Sequence, residues 1–137
     1  MTEVIRVLII EDNKFVRDVL RDCTTGLTCS FTEVENETEA LERIRTEDFD
    51  VIFLDLGLPE GDGLETFRKA KEMRADLPPV VVLTGHRQEA RRKKAEELGV
   101  FDYLTKDQLS TEEITSRIRI ALESRRLHGK QKEDTHC

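Results

Sequence analysis

The stretch Asp50-Val51-Ile52-Phe53-Leu54-Asp55-Leu56-Gly57-Leu58-Pro59 decides the fold. Residues 51–54 are apolar without a break, rich in β-branched and aromatic side chains, and too few for a helix. A strand with no polar face is covered on both sides, as in the middle of a parallel sheet. The run stops on a carboxylate, Asp55, and Gly57, Pro59, Gly61 and Gly63 then mark a loop. In open α/β sheets, ligands bind beyond the carboxyl ends of the strands, so Asp55 stands where chemistry is expected.

Working outward, the same alternation recurs on both sides. Residues 4–10 are apolar except at Arg6 and read as a buried strand. Val16, Val19, Leu20 and Cys23 then fall at helical spacing, and Gly26 closes that helix. Residues 31–34 form a weaker strand, and Asn36 with Glu39 opens a helix that buries Ala40, Leu41 and Ile44. After Asp55 comes a helix carrying Leu64, Phe67 and Met73, stopped by Pro78-Pro79. Residues 80–83 are a further buried strand ending at Thr84, and residues 88–98 a helix ending at Gly99. Residues 101–105 form a fifth strand ending at Lys106. Ser110-Thr111-Glu112-Glu113 is a capping box for a last helix with Ile114, Ile118, Ala121 and Leu122 on its buried stripe. Beyond Leu127 the chain is polar: a frayed tail, a linker or an appended remnant. Five strand–helix units imply one α/β domain over residues 1–126, a parallel sheet with helices on both faces, and a tail over 127–137.

Bulk properties agree. A chain of 137 residues can bury a core without disulfide or metal staples. Its net charge of −7 disfavours direct binding of nucleic acid and suits a cation. The 3 cysteines (Cys23 in a helix, Cys29 in a turn, Cys137 at the end) contain no C-x-x-C, as expected of reduced thiols in the cytoplasm. No signal peptide and no membrane-length apolar run is expected.

The strand ends carry Glu11 and Asp12, then Asp55, Thr84 and Lys106; the second strand contributes nothing obvious. Clustered carboxylates repel unless a cation sits among them, and an all-oxygen set points to a hard ion such as Mg²⁺. Asp55 could attack phosphorus as a nucleophile, with Lys106 and Thr84 meeting the phosphoryl oxygens. Taken singly, each has a plainer use: Asp12 as the cap of the first helix, Thr84 as a turn residue, Lys106 as a surface cation. Their joint placement favours the site.

On these residues the chain resembles the receiver domain of two-component response regulators, over residues 4–126. The matches are Val7-Leu8-Ile9-Ile10-Glu11-Asp12-Asn13, the stretch 50–59 with Gly61-Asp62-Gly63, Val82-Leu83-Thr84-Gly85, and Asp102-Tyr103-Leu104-Thr105-Lys106. The resemblance implies a flavodoxin-like doubly wound fold with strand order 2-1-3-4-5. It implies that Asp55 is the phosphoacceptor, served by a sensor histidine kinase or histidine phosphotransfer protein. It also implies Mg²⁺, with Mn²⁺ as a substitute, held by Glu11, Asp12, Asp55 and the Gly57 carbonyl. Thr84 and Tyr103 would form the switch, and Gly57 and His86 would tune how fast the aspartyl phosphate hydrolyses. The protein would accept a phosphoryl group without being a turnover enzyme.

The chain departs from the family at Asp107, where proline after a cis bond is usual. A cis bond without proline costs about 2.5–4 kcal/mol, so Lys106–Asp107 is expected to be trans. Val100 replaces a common alanine. Segments 106–109 and 121–126 resemble receivers joined to a downstream sensor, kinase or cyclase module, so residues 125–132 would begin a connector. The cluster Arg87, Arg91, Arg92, Lys93, Lys94 would face an acidic partner, a second copy of the chain, or simply solvent. Two rival functions are a haloacid-dehalogenase-like phosphatase, which needs an acid where Gly57 stands, and a degenerate receiver that only binds partners. A dinucleotide site is excluded because no G-x-G-x-x-G follows the first strand.

Overall fold

The computed structural model describes residues 4–24, 26–58, 62–85 and 89–134. In chain order the elements are β1 (Ile5–Ile10), α1 (Lys14–Asp22), β2 (Cys29–Val34), α2 (Glu37–Thr46), β3 (Val51–Asp55), α3 (Gly63–Met73), β4 (Val80–Thr84), α4 (Glu89–Leu98), β5 (Asp102–Thr105) and α5 (Thr111–Asp134), with a 3-10 turn at Lys106–Gln108. The strands make one sheet in the order β2-β1-β3-β4-β5, every pair parallel.

Period-2 alternation sends neighbouring residues of each strand to opposite faces, and each face has its own core. Leu8, Ile10, Ile52, Leu54, Val80 and Val82 meet Ala40 and Ile44 of α2, Phe67 and Ala70 of α3, and Ala95 of α4. Val7, Ile9, Val51, Phe53, Val81, Leu83 and Leu104 meet Val16 and Leu20 of α1 and Ile114, Ile118 and Ala121 of α5. All five residues of β3 and of β4 are buried, which explains why those strands have no polar face.

Register then aligns the strand ends. Ile10 pairs with Leu54, so Glu11 comes level with Asp55. Asp55 pairs with Leu83, so Thr84 follows directly beyond it, and Thr84 pairs with Thr105, so Lys106 follows in turn. Four residues far apart in sequence are thus delivered to one edge by hydrogen-bond pairing alone.

Two local expectations change. Cys29 opens β2 instead of lying in a turn, and Met73 is 44% exposed. Met73 follows Leu64 by nine positions, half a turn round the helix, so it cannot share the stripe of Leu64 and Phe67. α5 runs past Leu127 to Asp134, so residues 128–134 of the polar tail are helical. Lys, Gln and Glu carry high helix propensity without any apolar period to announce it. The last helix does open as expected, with Ser110 Oγ accepting from Glu113 N at 3.1 Å.

Candidate functional site

The site begins with the loop between β1 and α1. Asn13, not Asp12, caps the helix: its Oδ1 accepts from Phe15 N at 2.8 Å and Val16 N at 3.2 Å. The plainer reading of Asp12 as a helix cap is therefore wrong, and Asp12 is the exposed member of an acidic cluster. Glu11 is fully buried, and its Oε2 accepts from Asn13 N at 3.1 Å. Glu11, Asp12 and Asp55 each offer an oxygen within 4.8 Å of the others.

Asp55 closes β3 at 3% exposure. Its Oδ1 accepts from Gly57 N at 2.9 Å and lies 3.2 Å from Lys106 Nζ. The same ammonium lies 2.8 Å from Glu11 Oε1, so one cation bridges both carboxylates. That ammonium is the partner of the buried Glu11 Oε1. Burial, opposed by Lys106 and reinforced by Asp55, pushes the Glu11 carboxyl up to about 7. Burial alone would lower Lys106, but Glu11 and Asp55 outweigh it and hold the ammonium above its ordinary value.

Lys106–Asp107 is trans, as expected, since no cis peptide bond occurs among the described residues. The 3-10 turn that replaces the usual lysine–proline corner is tied by Thr105 Oγ1 donating to Gln108 Oε1 at 2.7 Å. Lys106 reaches both carboxylates from this backbone.

Thr84 ends β4 at 2% exposure. Tyr103, the register partner of Val82, is half-buried against the same core as Val100. The Arg92 guanidinium stacks 3.5 Å from its ring centroid. Arg91 pairs with Asp62, the residue that caps α3 through Leu64 N. Two members of the basic cluster thus have intramolecular work; Arg87 and His86 lie outside the described residues.

The sequence reading missed Arg17 and took Gly63 only as a loop marker and part of the family match. Gly63 opens α3 with its N–H donating to Leu56 O at 3.2 Å, and a Cβ there would fall 2.5 Å from the Asp55 carbonyl oxygen. Arg17 is only 9% exposed, and its Nη1 donates to the carbonyls of Glu11 at 2.9 Å and Asp12 at 3.1 Å. Its signal was a base lodged between two stripe residues, Val16 and Leu20. It brings strand two into the site after all, through Glu33 at 3.3 Å.

The family model for the response regulator receiver domain matches residues 7–119. The chain is a response-regulator receiver domain. It is 37% identical over 116 residues to the KDP operon transcriptional regulatory protein KdpE of Escherichia coli (strain K12), covering 85% of this chain and 50% of that protein. It is 33% identical over 101 residues to the chemotaxis protein CheY of Halobacterium salinarum, covering 74% of this chain and 83% of CheY. Among solved structures, the REC domain of AraT from Geobacillus stearothermophilus superposes with a TM-score of 0.78 at 28% identity, covering 94% of this chain and 99% of that one. This receiver spans about half the length of the regulators it matches first. The observed strand order is the one the family resemblance implied, and the phosphatase alternative is not favoured. No helix among the described residues is long and apolar enough to cross a membrane.

The buried glutamate gives this receiver a pH signature. A carboxyl raised in the folded state contributes stability that is complete below its unfolded value of 4.5 and lost as pH rises through about 7. Glu11→Gln should therefore stabilise the cation-free protein at pH 8, by up to about 3 kcal/mol. The gain should vanish near pH 4.5. Urea unfolding in EDTA at the two pH values measures it; a variant less stable than wild type at pH 8 would contradict it.

Proposed function

We propose that this receiver switches by reversible phosphorylation of Asp55. The observation that carries the reading is Lys106 Nζ, placed 2.8 Å from Glu11 and 3.2 Å from Asp55 at the carboxyl edge of the sheet. A carboxylate oxygen of Asp55 forms the new O–P bond as the P–N bond of a phosphohistidine donor breaks. The departing imidazole takes up a proton from solvent. Such transfer is mainly positioning and charge stabilisation. Lys106 sets an ammonium beside the phosphoryl oxygens, and the Thr84 hydroxyl donates to one of them. Tyr103 then moves with Thr84, a two-state element biased by a local charge.

An all-oxygen cluster of three carboxylates, two of them buried, fits a hard divalent ion. Glu11, Asp12, Asp55 and the Gly57 carbonyl would hold Mg²⁺, or Mn²⁺ in its place. When bound, the ion supplies charge neutralisation at the transferring phosphoryl group.

The donor is a sensor histidine kinase or a histidine phosphotransfer protein, and the setting is the cytoplasm. The domain takes one phosphoryl group per cycle and releases it by hydrolysis, tuned by Gly57 and His86, without turning over a substrate. The continuous α5 supports the reading of residues 125–132 as a connector to an output module, and a second copy of the chain is a further partner.

Incubation with Mg²⁺ and acetyl phosphate tests the reading by intact mass. One phosphoryl adduct is expected on wild type and none on Asp55→Asn. No adduct on wild type, or an equal adduct on the variant, would overturn it. Beryllofluoride titration followed by the emission of Tyr103, the only tyrosine, reads the switch in the same samples.

A further inference from the structure

We propose that Arg17 is a positioning residue for the cation site, acting by aiming the Glu11 and Asp12 carboxylates from behind. The proposal rests on the receiver reading above and adds a part that reading does not contain. An arginine at 9% exposure must be paired, and the pairing here has a direction. One edge of the guanidinium faces the loop between β1 and α1, where Nη1 donates to the Glu11 carbonyl at 2.9 Å and the Asp12 carbonyl at 3.1 Å. The other edge faces the end of β2, with Nε 3.3 Å from Glu33 and Nη2 3.3 Å from Glu35. A fixed carbonyl fixes its peptide plane, and with it the direction in which the attached Cα projects its side chain. Two consecutive planes are fixed here, and they belong to the two acids that precede Asn13.

The planar fork explains the residue type. It reaches four acceptors on two elements at once, which a lysine ammonium on a flexible stem does not. Charge explains why the effect is one of position. A lone cation behind a cation site would weaken binding, but Glu35, together with Glu33 shared with Arg21 at 3.2 Å, offsets the charge of Arg17. If Arg17 acted by charge alone, removing it would tighten cation binding. If it acts by position, removing it weakens binding, as loss of a group that orients metal ligands commonly does. The two accounts differ in sign.

Free Mn²⁺ is measured by electron paramagnetic resonance during titration of wild type, Arg17→Ala and Arg17→Lys. The Mn²⁺ dependence of acetyl phosphate labelling is recorded in parallel. Expected for Arg17→Ala is a Kd about 10–100-fold higher. Arg17→Lys should fall between it and wild type. Labelling at saturating Mn²⁺ should stay within about twofold of wild type, because the loss lies in binding and not in the transfer step. Unchanged or tighter Mn²⁺ binding overturns the proposal, as does a lower plateau with an unchanged Mn²⁺ requirement. If Arg17→Ala does not fold, Arg17→Lys decides by the same criterion. A wild type that binds no Mn²⁺ overturns the cation site itself, and the proposal with it. A wild type that binds Mn²⁺ but takes no phosphoryl group overturns the phosphoacceptor reading and leaves the Arg17 comparison standing.

Discussion

Lys106→Ala is expected to slow phosphorylation of Asp55 by about 10²–10³-fold, the usual cost of removing one fixed charge from a transition-state cradle. The same substitution is expected to tighten Mg²⁺ binding severalfold. Both follow from one ammonium shared between Glu11 at 2.8 Å and Asp55 at 3.2 Å. That ammonium is the counter-charge of the two buried acids, so under the proposed reading a divalent ion must compete with it. Under the same reading it faces, during transfer, oxygens whose negative charge grows. Removing it helps the first event and harms the second. A mass-spectrometric time course at saturating Mg²⁺, set against calorimetric titration of Mg²⁺, separates the two. A fall in both quantities would mean that the variant had disturbed the site's shape, and the assignment of Lys106 to the phosphoryl oxygens would fail.

The sequence made the centre of this molecule legible because burial on two faces leaves an unmistakable run of apolar residues, as in Val51-Ile52-Phe53-Leu54. Strand ends follow from such runs, and parallel register converts strand ends into a site. Cross-chain dependence hid the rest. Asp12 and Asn13 are adjacent and both good caps, and only the observed backbone at Asn13 decides between them. Arg17 reads as a surface charge until Glu33 and Glu35, more than a dozen residues away, are placed beside it. Strand two looked empty for the same reason: it contributes acids to the arginine and none to the cluster directly. Asp107 stands where the family has proline, so the usual corner after Lys106 is missing. The 3-10 turn at Lys106–Gln108 takes that place, because it starts at Lys106, directly after β5 ends at Thr105, and holds the lysine next to the strand end.

Gly63→Ala is expected to destabilise the protein by about 3 kcal/mol or more, at the upper end of overpacking effects, and to impair phosphorylation without touching the phosphoryl group. A Cβ at Gly63 falls 2.5 Å from the Asp55 carbonyl oxygen and 2.6 Å from Leu56 Cα. Both obstacles are backbone, so no side chain can swing aside. Either α3 retreats from the sheet, opening the core around Leu64 and Phe67, or the peptide after Asp55 shifts and carries the Asp55 side chain with it. Gly85 is the matched control, since a Cβ there meets nothing within 4 Å among the described residues. Gly85→Ala should change stability by no more than about 0.5 kcal/mol. Urea unfolding of the two variants, with acetyl phosphate labelling of each, tests both halves of the expectation. Equal stabilities would mean that the loop between β3 and α3 has slack the observed packing does not show. A destabilised Gly63→Ala that labels at the wild-type rate would place the strain in α3 alone and free Asp55 from its dependence on that glycine.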